Sequence, residues 1–114
     1  MTVTIWHNPR CSKSRQTLQI IRDNGVEPEI VEYLKTPPSA DELRAVLKKL
    51  KLKPRELMRT KESVYKELGL AAVDDDEKLI AAMVENPVLI ERPVVLKSGK
   101  AALGRPPESV TEIL

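Results

Sequence analysis

The sequence predicts an α/β fold: one four-stranded mixed sheet with helices around it and a helical insertion over about residues 39–85. Three observations predict it. The N-terminal third alternates a β-prone run, an amphipathic run and a second β-prone run, joined by short links. The middle carries apolar residues at helical spacing. The C-terminal quarter returns to two short β-prone runs around a glycine-containing turn.

Each element has its own warrant. Val3 to Trp6 is β-prone and uncharged, so it reads as a buried strand. Ser12 or Ser14 opens a helix carrying Leu18, Ile20 and Ile21, and Asn24-Gly25 stops it. Glu29 to Tyr33 reads as the second strand. Strand, helix and strand with short links form a βαβ unit, whose two strands are parallel. Pro37-Pro38 ends that unit, and Ser39 with Glu42 makes a capping box. Leu43, Val46, Leu47 and Leu50 then fall on one helix face. Pro54 suits a helical first turn, Val64 to Leu68 is a short helix stopped by Gly69, and Asp75 or Asp76 starts a helix bearing Leu79, Ile80, Met83 and Val84. Val94-Val95-Leu96 and Ala101-Ala102-Leu103 flank Lys97-Ser98-Gly99-Lys100, a hairpin signature. Pro106-Pro107-Glu108 starts a final helix with Val110, Ile113 and Leu114. The hairpin must return to complete the first sheet, so residues 1–114 are expected to form a single domain of thioredoxin-like architecture.

Composition bounds the function. The 114 residues are 41% hydrophobic and 32% charged, yet the net charge is only +2, which argues against bulk electrostatic binding to nucleic acid. Aromatics make up 3%, too few for base-stacking platforms. No apolar run is long enough to span a membrane, and the N-terminus lacks the pattern of a signal peptide. One cysteine excludes an internal disulfide, and with abundant lysine it suits the reducing cytoplasm.

That cysteine is the centre of interest. The stretch HNPRCSKSR holds the single cysteine, Cys11, and the single histidine, His7, at a junction of strand and helix. The first N–H groups of a helix lack intrahelical partners and the dipole favours negative charge there, so a thiol at this place is biased towards thiolate. A shift from ~8.5 to ~6.5 would turn a few per cent of thiolate at neutral pH into a majority. Arg10, Lys13 and Arg15 add positive charge, and Ser12 and Ser14 add hydroxyl donors. Ser14 stands where a dithiol motif carries its second cysteine, so the motif is Cys-x-x-Ser. A buried packing cysteine is the plain alternative; the polar flanks, expected to be exposed, argue against it. His7 either polarises the thiol or holds the loop. A cysteine-phosphatase loop needs an arginine six residues after the cysteine, where this chain has Thr17, and one Cys with one His does not supply a metal site. Arg22, Arg44 and Arg55 read as solvated or ion-paired helix residues, Asp74-Asp75-Asp76 as a helix start, and Tyr65 as a half-buried helix contact.

HNPRCSKSRQTL, EYLKTPPS, LMRTK, ERPVV and GRPPE, in that order, resemble the arsenate reductases that work with glutathione and glutaredoxin. The resemblance implies a thioredoxin-like fold with a helical insertion. It implies Cys11 as catalytic nucleophile, with His7 and Ser14 beside it. Arg59, Arg92 and Arg105 fall on the family's oxyanion-binding arginines, and Pro93 on its cis-proline. It further implies arsenate as substrate, glutathione as co-substrate, glutaredoxin as partner, no bound cofactor or metal, and a cytoplasmic monomer. Arg10 and Lys13 stand where better-studied members carry small residues, which marks a shorter subgroup. The wider family also contains thiol-disulfide proteins with Cys-x-x-Cys that bind RNA polymerase, so a regulator that binds a protein partner is one alternative; a second, which Cys-x-x-Ser permits, is a monothiol glutathione-linked oxidoreductase acting on another substrate. The chemistry fits the residues: arginine forks hold oxyanions bidentately and stay protonated, which offsets the meeting of a thiolate with an anionic substrate.

Overall fold

A computed structural model describes residues 2–114 of the chain. The chain forms two compact units. One comprises the residues up to Thr36 together with Arg92–Leu114; the other is Pro37–Glu91.

The first unit holds the sheet. Strand β1 is Val3–Trp6, helix α1 is Ser12–Asp23 and strand β2 is Glu29–Val31; strands β3, Val94–Lys97, and β4, Lys100–Leu103, come from the C-terminal segment. The strand order is β2-β1-β3-β4. β1 runs parallel to β2 and antiparallel to β3, and β3 and β4 are antiparallel. This is the mixed thioredoxin-like sheet that the element order predicts. Ile5 pairs with Ile30 on one side and Val95 on the other, which makes β1 a central strand. Val3, Ile5, Leu18, Ile21, Val95 and Val110 form one apolar cluster. Ile5 and Ile21 are fully buried, and each such side chain contributes roughly 1.5–3 kcal/mol of transfer free energy.

Local chemistry sets the boundaries. Gly25 follows α1 with φ +79 and lets its last turn close. The β3–β4 loop is only Ser98-Gly99, both at positive φ (50 and 78), the backbone that a two-residue hairpin with matching twist demands. Gly104 lies where backbone meets side chain: a Cβ there would come within 2.5 Å of Thr17 Oγ1 and 2.6 Å of Pro93 Cγ. The Arg92-Pro93 bond is cis, as expected, and Arg105-Pro106 is cis as well. Two expectations need correction. β2 ends at Val31 rather than Tyr33, because Lys35 and Thr36 amides both donate to the Glu32 carbonyl and turn the chain. The last element, Pro107–Ile113, is a 3₁₀ helix rather than an α-helix. Val110 and Ile113 are three apart, a spacing that serves a three-residue turn equally well.

The second unit is helical. Helix α2, Ala40–Leu50, opens on the predicted capping box: Ser39 Oγ accepts from the Glu42 amide at 3.1 Å and Glu42 Oε1 accepts from the Ser39 amide at 3.1 Å. Helix α3 is Ser63–Glu67 and helix α4 is Asp76–Glu85, capped by Asp75. Short 3₁₀ turns cover Pro54–Leu57, Leu70–Ala72 and Pro87–Leu89. Leu43, Leu57, Leu79, Met83, Leu89 and Ile90 are fully or almost fully buried. Arg44 pairs with Asp41 and Glu77, and Arg22, in the first unit, with Glu27, as surface arginines should. Arg55 and Tyr65 depart from expectation. Arg55 donates to the Tyr65 hydroxyl and to the carbonyls of Leu70 and Val73, so it ties three short segments together. Tyr65 is accordingly buried, not half-buried.

Candidate active site

Cys11 is the N-cap residue of α1, with extended backbone (φ −95, ψ 123). Its amide donates to the Asn8 carbonyl at 3.0 Å and its carbonyl accepts from the Arg15 amide at 3.0 Å, so the thiol is fixed at the mouth of the helix. The sulfur is free and partly exposed. Burial pushes the thiol up, but the Ser14 amide, the Arg92 guanidinium and the Lys13 amide outweigh it, and the net shift is downward. The helix end therefore acts through two specific N–H groups, and Arg92 adds a full charge.

The residues around the thiol are less exposed than their polarity suggests. His7, Asn8 and Ser14 are all buried, which corrects the reading of these flanks as solvent-facing. They are buried because they satisfy one another. Ser14 Oγ lies 2.5 Å from His7 Nδ1 and accepts from the Asn8 amide at 3.0 Å. Asn8 Oδ1 accepts from the Arg10 amide at 3.0 Å, and Arg15 donates to the Pro9 carbonyl at 2.8 Å. The His7 amide donates to the Val31 carbonyl, which ties the loop to β2. Burial, opposed by Glu32 and assisted by Arg22 and Arg15, lowers the His7 pKa, so the ring is neutral at neutral pH. Of the two readings left open for His7, this geometry fits loop holding: its Nδ1 is engaged by Ser14.

Three arginines are at issue. Arg92 comes to the sulfur: burial opposes its charge, but its interactions with Cys11 and Tyr33 outweigh that and favour the charged form. Its Nε is buried with no hydrogen-bond partner among the described residues. Arg105 is exposed and donates through Nε to the Arg92 carbonyl at 3.2 Å. Arg59 belongs to the helical unit. It pairs through Nε with Glu62 at 3.0 Å and through Nη1, more distantly, with Glu91 at 3.9 Å, and the buried Nη1 has no hydrogen bond among the described residues. Arg10 and Lys13, beside the thiol, are exposed. Sequence reasoning missed Tyr33 and Asn8, and it read Arg15 as nearby charge but not as the donor to the Pro9 carbonyl. Tyr33 is 1% exposed and supports Arg92; only its place in EYLKTPPS singled out its neighbourhood. No group of three side chains suited to a metal ion occurs among the described residues.

The ArsC family model matches residues 6–113. The chain is 59% identical to the uncharacterized protein YfgD of Escherichia coli K12, over 98% of this chain and 96% of that one. It is 46% identical to an arsenate reductase of Neisseria meningitidis, over 98% of this chain and 97% of its relative. Among solved structures, arsenate reductase from Vibrio cholerae superposes with a TM-score of 0.97 at 50% identity, covering 100% of this chain and 98% of the other. A family match of nearly full length, relatives of nearly equal length and a shared fold agree: the chain belongs to the ArsC family.

Proposed function

We propose that the chain is an arsenate reductase that converts arsenate to arsenite with Cys11 as nucleophile and an external thiol as reductant. The observation that carries this reading is a thiol of lowered pKa at a helix N-terminus with a guanidinium against its sulfur.

The stoichiometry explains why one cysteine suffices. Arsenate and two thiols give arsenite, one disulfide and one water. Cys11 supplies one thiol: its sulfur bonds to arsenic and an oxygen leaves as water. The second thiol must come from outside. Its sulfur bonds to Cys11 Sγ, the sulfur–arsenic pair stays on arsenic, and arsenic falls from the +5 to the +3 state. Cys11 is left as a mixed disulfide, which a further thiol resolves. Ser14, held by His7 and the Asn8 amide, is a fixture of the loop and has no redox part.

Arg92 first stabilises the thiolate and then meets the substrate's negative charge; its unpaired Nε is a buried donor that an oxyanion would satisfy. Arg105 is the second oxyanion ligand. Arg59 is the third: its support is its place in LMRTK and its buried Nη1, which makes no hydrogen bond among the described residues and only a long ion pair with Glu91. Glutathione as reductant, glutaredoxin as the protein that resolves the mixed disulfide, and action as a cytoplasmic monomer follow from the same reading. No helix among the described residues is long and apolar enough to cross a membrane.

The test is arsenate-dependent arsenite formation with glutathione and glutaredoxin. Wild type is expected to turn over and Cys11→Ser to be inactive. Equal rates for the two would refute the proposal. Reduction of mixed disulfides without arsenite formation would select a general monothiol oxidoreductase, and recovery of RNA polymerase on the immobilised inactive chain would select a regulator.

A further inference from the structure

We infer that Arg10 and Lys13 are specificity-determining residues: their side chains draw small anionic electrophiles to Cys11 and leave neutral ones unassisted. The inference rests on the reading of Cys11 as a reactive nucleophile and adds which charge its reaction partners carry on approach.

The N-terminal turn of α1 breaks a local rule. A helix start favours acidic side chains and disfavours basic ones, because the dipole is positive there. α2 and α4 obey it, with Asp41 and Glu42 in one first turn and Asp76 and Glu77 in the other. The first turn of α1 has no acid and carries Lys13 and Arg15 instead. Residues 7–15 as a whole hold three cations, Arg10, Lys13 and Arg15, and no carboxylate. Local choices that work against the fold gather at functional sites.

The fold makes no other use of two of these charges. Arg22, Arg44 and Arg59 each pair with a carboxylate, and Arg15 donates to the Pro9 carbonyl. Arg10 and Lys13 are exposed, and among the described residues their side chains make no hydrogen bond or ion pair. The thiolate is favoured by other groups: the Ser14 and Lys13 amides and the Arg92 guanidinium.

Their place leaves them one task. Arg10 is bonded to Cys11, and the Lys13 amide is itself one of the groups against the sulfur. Two residues of chain span at most about 7 Å, inside the ~10 Å over which charge acts at 0.1 M salt. Solvated charges at that range do not grip a ligand; they raise the local concentration of anions and the rate of encounter. A unit charge about 8 Å away in water enriches a monoanion roughly two- to threefold, so two such charges give about fivefold. Arg92, partly buried, then meets an anion that the exposed pair has already gathered.

The experiment compares two reagents on the full chain. Iodoacetate and iodoacetamide both alkylate the sulfur and release iodide; only the first is an anion. Rates are taken at about pH 9, above the ordinary thiol value of about 8.5, so that the thiolate fraction is high in every variant. At about 10 mM salt, where charge acts over ~30 Å, the ratio of the iodoacetate rate to the iodoacetamide rate should fall about fivefold when Arg10→Gln is combined with Lys13→Gln. That fall should disappear at about 1 M salt, where charge acts over only ~3 Å. The iodoacetamide rate should stay close to that of wild type, which also reports an intact thiol loop. Arg10→Lys combined with Lys13→Arg keeps both charges and should keep the wild-type ratio. An unchanged ratio in the glutamine pair, a fall that survives high salt, an equal loss with both reagents, or a lost ratio in the charge-keeping pair would overturn the inference. Because arsenate is absent, failure of arsenate turnover in the separate assay leaves this result standing, and failure here leaves that one standing.

Discussion

Arg92 and Ser14 show how single side chains make this thiol unusual. Arg92 is the one full charge against the sulfur, so Arg92→Ala should move the midpoint of the Cys11 alkylation profile upward, towards the ordinary thiol value of about 8.5. Arg92→Lys should recover part of that shift but little oxyanion use, because an ammonium lacks the fork. Thiolate absorbance against pH checks both. Ser14→Ala would leave the Asn8 amide and His7 Nδ1 buried and unpaired, at a cost of about 1–3 kcal/mol visible as a lower chemical-denaturation midpoint. At this scale the sequence was only partly legible. Cys11 announced itself by its place and its neighbours. The burial of His7, Asn8 and Ser14 did not, because a hydroxyl seven residues from a ring becomes its partner only once the loop has folded back. Tyr33 was silent for the same reason: its hydroxyl meets a guanidinium from the far end of the chain.

The elements were read more easily than the contacts between side chains. β1, α1, α2 and the hairpin carry their signals locally, in alternation, capping chemistry and the Ser98-Gly99 turn. Ser39→Ala removes the reciprocal cap of α2 and should cost about 1 kcal/mol, read from thermal or urea unfolding. Gly104→Ala tests a different constraint. The added methyl meets Thr17 Oγ1 and Pro93, both buried, so overpacking should cost about 1–3 kcal/mol and disturb the end of β4 beside Arg105. The 3₁₀ segments were the least legible. Their residues lie at three- and four-residue spacings, and only competition among packing partners decides between a tight turn and an α-turn. Arg55 belongs to the same class: it looks like a solvated helix residue until Tyr65, Leu70 and Val73 present three acceptors to it.

For the whole molecule the titrations of His7 and Cys11 point the same way. The folded His7 pKa lies below the ordinary value, so as pH falls through about 6.5 the unfolded chain takes up a proton that the folded chain refuses, and stability falls. The folded Cys11 pKa is also lowered, so its stabilisation is complete above the ordinary thiol value and is lost as pH falls through the lowered one. Melting temperature should therefore decline on acidification. In Cys11→Ser the thiol's share should vanish while the histidine's decline below about pH 6.5 remains. The order of elements along the chain was enough to anticipate the sheet, because a central β1 needs a partner from the returning hairpin. That same connectivity has a consequence for biosynthesis. Cys11 is made before its guanidinium companion and the antiparallel neighbour of β1, which emerge from the ribosome only after the helical unit has been synthesised. Until then a nascent chain lacks the Arg92 charge at its sulfhydryl, and the thiol's full potency as a nucleophile waits for the segment that carries it.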